Sequence, residues 1–545
     1  MADEQTNALA FISSGDGSLA TLGRPAASEN KSVRYSASKI SSVDFPRGFV
    51  FGAATAAYQV EGAYAEGGKS LSIWDAFALR TPSKIKDGSN GCVATDQYHR
   101  YKEDVMLVKK LGFGAYRFSI AWTRVLPGGR LSMGKNMVGI KYYNDVIDFC
   151  LAQGIEPYVT IFHFDLPQCL EDEYGGFLSK QIVKDFVEFA ELCFWEFGDR
   201  VKHWFTINEP WSYVYQGYVL GNFPPGHGGA NSTISMAKYN DASTEPYKVA
   251  HHLILAHAYV VDVYRRNFKT VQGGKIGMVN FVMWYEPLDE YDSEDQKASL
   301  RAIDFMMGWF VEPTVTGQYP ESMREFVGER LPTFTKDEEN LVKGSFDFQG
   351  LNYYTTNYAK NNPTPDATSP AVADIHVTYS TERDGILIGP AATGSNWILR
   401  VPWGLQKILQ YAKNKYGNPV IYITENGVSE ANNKSLSVTE ALVDESRNTY
   451  IQDHLYYIKK AIDDDQVKVK AYFVWSLLDN YEWFSGYTSR FGLFYVDFAN
   501  GLTRYPKNSA VWMLNFLHKR MIGLKKRSHD DEEAEDNGLP KRVKS

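Results

Sequence analysis

Short apolar runs alternate with amphipathic helical patterns along most of the chain. The runs are rich in β-branched and aromatic residues, and several are apolar at nearly every position, which is typical of strands buried on both faces of a parallel sheet. Eight strands are predicted: Phe49 to Ala54, Ala115 to Trp122, Glu156 to Phe162, His203 to Asn208, Lys275 to Phe281, Phe348 to Tyr354, Val420 to Glu425 and Lys470 to Trp475.

The segments between these runs carry the 3.6-residue apolar period of helices. In one of them Val105, Val108 and Leu111 share a face just before Gly112, a residue that commonly ends a helix. Eight strands alternating with helices predict an α/β fold, a single (β/α)8 TIM barrel with long βα loops. The pattern alone leaves an open doubly wound sheet as an alternative, although no Gly-rich phosphate-binding fingerprint supports it.

The two ends of the chain differ from its body. Residues 1–42 are rich in Ser, Ala, Gly and Asn, which predicts a disordered leader, and the early acidic pair makes a poor signal peptide. Residues 524–545 alternate basic and acidic blocks, which predicts a charged tail. The barrel is therefore assigned to residues 43–523, and no apolar stretch is long enough to predict a membrane span.

Composition argues against several classes of ligand and cofactor. The net charge of −8 gives the body no general attraction for nucleic acid. The four cysteines have no C-x-x-C spacing, so all are predicted to be free thiols. Nothing in the sequence supplies the ligand set of a metal site, and neither a metal nor an organic cofactor is predicted.

Polar and aromatic residues follow the predicted strands where a barrel assembles its active site, at the carboxyl ends. These residues are Gln59 after the first strand, His163 after the third, Asn208 and Glu209 at the fourth, Asn352 and Tyr354 at the sixth, Glu425 at the seventh and Trp475 at the eighth. His163 alone is more often a satisfied polar residue than a ligand, but because no other metal ligands accompany it, it is predicted to donate a hydrogen bond to a sugar hydroxyl.

Glu209 and Glu425 stand out because glycosidic cleavage needs two carboxyl groups, one protonated and one ionised. Either residue alone would be read as a loop salt bridge or cap, but the pair favours catalysis. Retention of configuration needs carboxyl groups about 5 Å apart, and inversion about 6.5 to 9.5 Å. The segment from Trp475 through Glu482 to Trp483 offers stacking faces and a carboxylate to a sugar ring, with a packed aromatic loop as the alternative.

Three motifs resemble glycoside hydrolase family 1, and the likeness runs from about Phe45 to Lys519. Phe49 to Gly62 resembles the family's N-terminal signature, Thr206 to Pro210 its acid/base motif, and Ile423 to Gly427 its nucleophile motif. One departure is His163-Phe164-Asp165, where the family usually has His-Trp-Asp.

The resemblance implies a role for each candidate. Glu209 is expected to be the acid/base and Glu425 the nucleophile, with Arg117 and Tyr354 beside Glu425 and Asn352 in support. The remaining residues are expected to contact substrate: Gln59, His163, Asn208, Glu482 and Trp483 at the glucose unit, Trp475 and Phe491 in the sugar pocket, and Trp397 near the aglycone.

Within the family the chain looks most like the oleuropein and strictosidine β-glucosidase group, plant enzymes that deglucosylate secoiridoid and monoterpenoid indole alkaloid glucosides. The resemblance implies a β-glucoside substrate, a homo-oligomer, and a nuclear import receptor as partner of the basic tail, with nuclear location first and cytoplasm as the alternative. Two other functions stay open: a transglucosidase, in which an alcohol replaces water, and a catalytically silent nuclear scaffold.

Overall fold

The computed structural model describes residues 40–228, 241–365 and 369–518, so the predicted tail and the leader up to residue 39 lie outside the described residues. Eight parallel strands form the centre of the described chain. They are β1 (Val50–Ala54), β2 (Ala115–Ser119), β3 (Glu156–Phe162), β4 (His203–Asn208), β5 (Lys275–Pro287), β6 (Phe348–Asn361), β7 (Ile421–Asn426) and β8 (Val469–Trp475).

The eight strands close into a ring. Each pairs with the next in chain order, and the ring is completed where β1 pairs with β8, Val50 lying opposite Ala471. The predicted (β/α)8 barrel is confirmed, and the open doubly wound alternative is wrong because an open sheet would leave β1 or β8 without this partner.

Helices lie between the strands, as the apolar period predicts. The longer ones are α1 (Gln97–Leu111), α2 (Met137–Ala152), α3 (Gln181–Phe197), α4 (Glu245–Val263), α5 (Ser293–Ile303), α6 (Trp309–Thr316), α7 (Pro402–Tyr416) and α8 (Glu445–Asp463). Gly112 ends α1 with a φ of 81°, a left-handed conformation that glycine adopts without steric cost.

Further helical segments, most of them shorter, lie between these elements. The α-helical ones are Ala57–Val60, Ile73–Arg80, Trp122–Val125, Gln168–Tyr174, Pro210–Val214, Lys269–Gln272, Glu321–Val327, Lys336–Val342, Pro370–Ala373 and Val438–Ala441, and a last helix runs through residues 508–518. None of the helices in the described ranges is both long and apolar enough to cross a membrane.

Three strand ends differ from the prediction by more than one residue. β2 ends at Ser119, and the apolar run continues into the helix that begins at Trp122. β5 and β6 run beyond their predicted ends because they continue to pair with each other, from Val282 opposite Tyr353 to Pro287 opposite Ala359. This ribbon extends past the barrel ring on the side where the active site is built.

Aromatic packing joins the chain ahead of β1 to the last helix. The rings of Phe45 and Phe51 pack edge-on against Phe516 from the last helix. Ser42, which the sequence assigns to the leader, is buried and its hydroxyl donates to the Phe516 carbonyl at 2.6 Å. The folded body therefore includes the last predicted leader residues. The four cysteines are free, as predicted.

Candidate active site

A cavity opens at the carboxyl ends of the barrel strands, where the sequence places the site. Both predicted catalytic carboxyl groups face this single cavity, as the mechanism requires. The predicted site residues that line it are His163, Asn208, Glu209, Tyr354, Trp397, Glu425, Trp475, Glu482, Trp483 and Phe491.

The other three predicted residues, Gln59, Arg117 and Asn352, are buried behind the cavity wall. Gln59, which is predicted to contact the glucose unit, donates its amide nitrogen to the Tyr481 carbonyl at 2.9 Å and to Glu482 Oε2 at 3.4 Å. In this arrangement Gln59 orients the carboxyl group of Glu482 from behind.

Glu425 lies in β7 and both of its oxygens are bonded. Arg117 Nη1 donates to Oε1 at 2.6 Å and the Tyr354 hydroxyl donates to Oε2 at 2.7 Å. Burial raises the pKa of Glu425 above its usual value, while the Arg117 charge and these hydrogen bonds oppose that rise. The contacts therefore favour the ionised form and fix both oxygens.

Glu209 follows β4 and precedes the helix Pro210–Val214. Its φ of 42° lies in the left-handed region, which a residue with a side chain adopts at a cost. Ser212 donates to Oε2 and Asn352 donates to Oε1, each at 2.7 Å. Burial, and then the charge of Glu425, raise the pKa of Glu209 to about 8, so this carboxyl group stays protonated at neutral pH.

Two asparagines connect the carboxyl groups to the rest of the wall. Asn208 Oδ1 accepts from Arg117 Nη2 at 2.7 Å and from Asn352 Nδ2 at 3.2 Å. The Asn208 amide nitrogen is therefore directed at His163 Nε2, 3.1 Å away. Burial and the Arg117 charge lower the pKa of His163 well below its usual value, so the ring is neutral.

The loop after β8 supplies the other side of the cavity. The indole of Trp483 lies nearly parallel to the His163 ring, with centroids 5.9 Å apart, and that of Trp475 lies 6.0 Å from it. Burial, followed by the charges of Glu425 and Glu209, raises the pKa of Glu482 to about 8. Flat aromatic faces beside hydroxyl-binding carboxyl groups suit a pyranose ring.

The family follows from a comparison with protein-family models. Residues 41–521 match the model described as glycosyl hydrolase family 1. The chain belongs to glycosyl hydrolase family 1. It is an O-glycosyl hydrolase, as the motifs predict.

Relatives of this family 1 chain cover nearly all of it. It is 52% identical to an oleuropein beta-glucosidase of Olea europaea, over 98% of both chains. It is 51% identical to a raucaffricine-O-beta-D-glucosidase of Rauvolfia serpentina, over 91% of this chain and 96% of the relative. A solved rice beta-glucosidase superposes with a TM-score of 0.84 at 47% identity, covering 87% of this chain and 99% of that one.

Several cavity residues of this glycosyl hydrolase were not predicted, and half of them are aromatic. Trp211 stacks on Phe281 with centroids 5.6 Å apart, and Phe281 lies 6.1 Å from Trp397. Across the cavity Phe223 lies 5.9 Å from Phe484. Nothing local in the sequence distinguishes these rings from core aromatics, because they come from separate strands, helices and loops and meet only in the folded barrel.

Ser212 was also missed, although its position carried a signal. It lies three residues after Glu209, a spacing that brings two side chains to the same side of a helical turn. The family departure at Phe164 lies in the cavity wall, where its ring packs 5.2 Å from Trp483 and 5.9 Å from Phe223. Among the described residues no group of three or more His, Cys, Asp or Glu side chains is arranged to hold a metal ion.

Proposed function

We propose that this family 1 hydrolase is a retaining β-glucosidase with Glu425 as the nucleophile and Glu209 as the acid/base. One observation carries the proposal: two buried carboxyl groups in one cavity have opposite environments. Glu425 contacts the Arg117 guanidinium at 2.6 Å. The hydrogen bonds to Glu209 come from two neutral donors, Ser212 and Asn352, and the pKa of Glu209 is raised to about 8. A pair separated in this way supplies one nucleophile and one acid.

The proposed reaction has two steps. Glu209 protonates the glucosidic oxygen while Glu425 attacks the anomeric carbon, which releases the aglycone and forms a glucosyl ester. Glu209, now ionised, takes a proton from water, and the water oxygen attacks the anomeric carbon to release glucose and free Glu425. The Tyr354 hydroxyl, which donates to Glu425 Oε2, keeps the nucleophile oriented between the steps.

Two observations support retention over inversion. Arg117 donates both to Glu425 Oε1 and to Asn208 Oδ1, and Asn208 directly precedes Glu209. Asn352 Nδ2 donates to Glu209 Oε1 and to the same Asn208 oxygen, so one short hydrogen-bond network joins the two carboxyl groups, which favours the separation of about 5 to 5.5 Å used in retention. A mutant of the rice relative forms a covalent complex with glucose.

A fluorinated substrate tests both the nucleophile and the mechanism. A 2-deoxy-2-fluoroglucoside with a good leaving group slows the second step more than the first, so a retaining enzyme accumulates the glucosyl ester. We expect peptide mass spectrometry to locate the fluoroglucosyl group on Glu425. Direct release of α-glucose from an ordinary substrate, seen by NMR, would indicate inversion and contradict the proposal.

We propose that the natural substrates are β-glucosides of plant specialised metabolites, secoiridoid or monoterpenoid indole alkaloid glucosides. The names of the two curated relatives and the aromatic lining around Trp397 support this class, because extended apolar aglycones bury well against aromatic rings. We expect kcat/KM for oleuropein or strictosidine to exceed that for a simple aryl glucoside. Glucosyl transfer to an added alcohol in preference to water would favour the transglucosidase alternative.

We also propose nuclear location through the basic tail and a homo-oligomeric state. The tail, which lies outside the described residues, contains Lys525-Lys526-Arg527 and Lys541-Arg542, a bipartite arrangement typical of import signals. A fluorescent fusion ending at residue 523 should lose nuclear enrichment, and the full chain with these basic residues replaced by Ala should behave in the same way. Light scattering of the purified chain measures the oligomeric state.

A further inference from the structure

Six charged side chains lie together beneath the loop that follows β8, outside the cavity wall. Their charges balance, three acidic against three basic, and five of them are almost fully buried. This charge cluster consists of Glu430, Asp444, Arg447, Asp479, Arg490 and Lys507.

Asp479 is the centre of the charge cluster, and its carboxylate binds several parts of the chain at once. Oδ2 accepts from Arg490 Nη1 at 2.6 Å, and Oδ1 accepts from Lys507 Nζ at 2.7 Å and from the Gly492 amide at 2.9 Å. Burial raises the pKa of the Asp479 carboxyl group, but the charges of Lys507 and Arg490 lower it. The net result is a pKa below the usual value. The carboxylate therefore ties the loop to the segment that carries Lys507.

The charge cluster also fixes the backbone on either side of Arg490. Arg447 Nη2 donates to the Arg490 carbonyl at 2.8 Å, and the neighbours of Arg490, Ser489 and Phe491, line the cavity. The Ser476 amide donates to the Phe491 carbonyl at 3.2 Å, next to Trp475. Displacement of Arg490 would thus move cavity-lining residues at both ends of the loop.

Buried charges are costly, and apolar side chains of similar size often pack with equal or greater stability. A balanced charge cluster is better suited to specifying one loop geometry than to adding stability. We propose that Asp479 and Lys507 are positioning residues that hold the glucose-binding face of the β8 loop, with Glu482 and Trp483, in register with the carboxyl groups of the barrel. This inference rests on the proposed glucosidase function.

The test separates positioning from stability with matched variants. Lys507→Met keeps the stem of the side chain and removes its charge, and Asp479→Asn keeps the shape and removes the opposite charge. Arg504→Met is the control because Arg504 forms an equally buried pair with Asp104, at 2.9 Å, and its side chain donates to Asp104, Leu502 and Thr95 rather than to the charge cluster. All three variants lose one buried charge, so each should melt at a lower temperature than the wild-type chain.

We expect Lys507→Met and Asp479→Asn to weaken glucose binding about tenfold, measured by tryptophan fluorescence. KM for an aryl β-glucoside should also rise about tenfold, while kcat stays within about threefold of the wild-type value. Arg504→Met should leave both constants unchanged. Unchanged glucose affinity in the charge-cluster variants overturns the inference, and Asp479→Asn decides it if Lys507→Met does not fold. Glucose binding without turnover in the wild-type chain would refute the proposed function instead, and the affinities would still decide the inference.

Discussion

The cavity has two regions that differ in origin and chemistry. The polar floor, formed by His163, Asn208, Glu209, Tyr354 and Glu425, lies at the ends of barrel strands and is joined by hydrogen bonds. The aromatic mouth comes mainly from the loops and consists of Trp211, Phe223, Phe281, Trp397 and Phe484.

The difference assigns separate tasks to the two regions. Each carboxyl group of the polar floor has fixed donors, so its protonation state and orientation are set before substrate arrives. Trp397 and Phe484 of the aromatic mouth are only half-buried and contact neighbouring rings. Changes to the polar floor should therefore alter the rate of bond cleavage, and changes to the aromatic mouth should alter which aglycone binds.

The largest effect is expected at the nucleophile. Glu425→Gln keeps the shape of the side chain but cannot form the glucosyl ester, so kcat should fall by at least about 10⁴-fold. Initial rates on a fluorogenic β-glucoside measure this loss, and circular dichroism checks that the variant folds. Activity close to that of the wild-type chain would refute the assignment of Glu425. Another residue would then have to be the nucleophile.

The second effect depends on the leaving group. Glu209→Gln removes the proton donor, so kcat/KM for a glucoside with a poor leaving group should fall about 10³-fold. The leaving group of a dinitrophenyl glucoside needs no proton, so kcat/KM for this substrate, which reflects the first step, should fall much less. Equal losses on both substrates would show that Glu209 does not act as the acid.

The third prediction concerns pH. Glu209 must be protonated, and its pKa is raised to about 8. Deprotonation of Glu209 should therefore not reduce kcat/KM at pH values below about 8. Above it the acid is lost, and kcat/KM should fall about tenfold for each pH unit. On the acid side, the raised pKa of Glu425 means that activity declines as its carboxylate is protonated.

The same profile measured on Glu209→Gln with a dinitrophenyl glucoside provides the control. The alkaline decline should disappear, since the group that titrates has been removed. Persistence of the decline would assign it to Glu482, whose pKa is also raised to about 8 by burial and by the two catalytic carboxyl groups.

The contrast between the two regions also explains what the sequence could predict. Glu209 and Glu425 each end an apolar run in a short polar motif, so a few adjacent residues identify them. The raised pKa of Glu209 had no such signal, because it depends on burial and on Glu425, which is distant in the chain. Phe223 and Phe484 are likewise separated in sequence and meet only through loop geometry.

The smallest effect is expected in the aromatic mouth. Trp397 packs against Phe281 at 6.1 Å and Tyr354 at 5.7 Å, so its indole joins the aromatic mouth to the polar floor without a hydrogen bond to either carboxyl group. Trp397→Ala should raise KM about tenfold for glucosides with a large aglycone, the cost of one lost aromatic contact. Methyl β-glucoside, which has almost no aglycone, is the control and should keep its KM. If KM rises equally for both substrates, Trp397 acts on the glucose unit through Tyr354. Trp397 would then belong to the polar floor and not to the aromatic mouth.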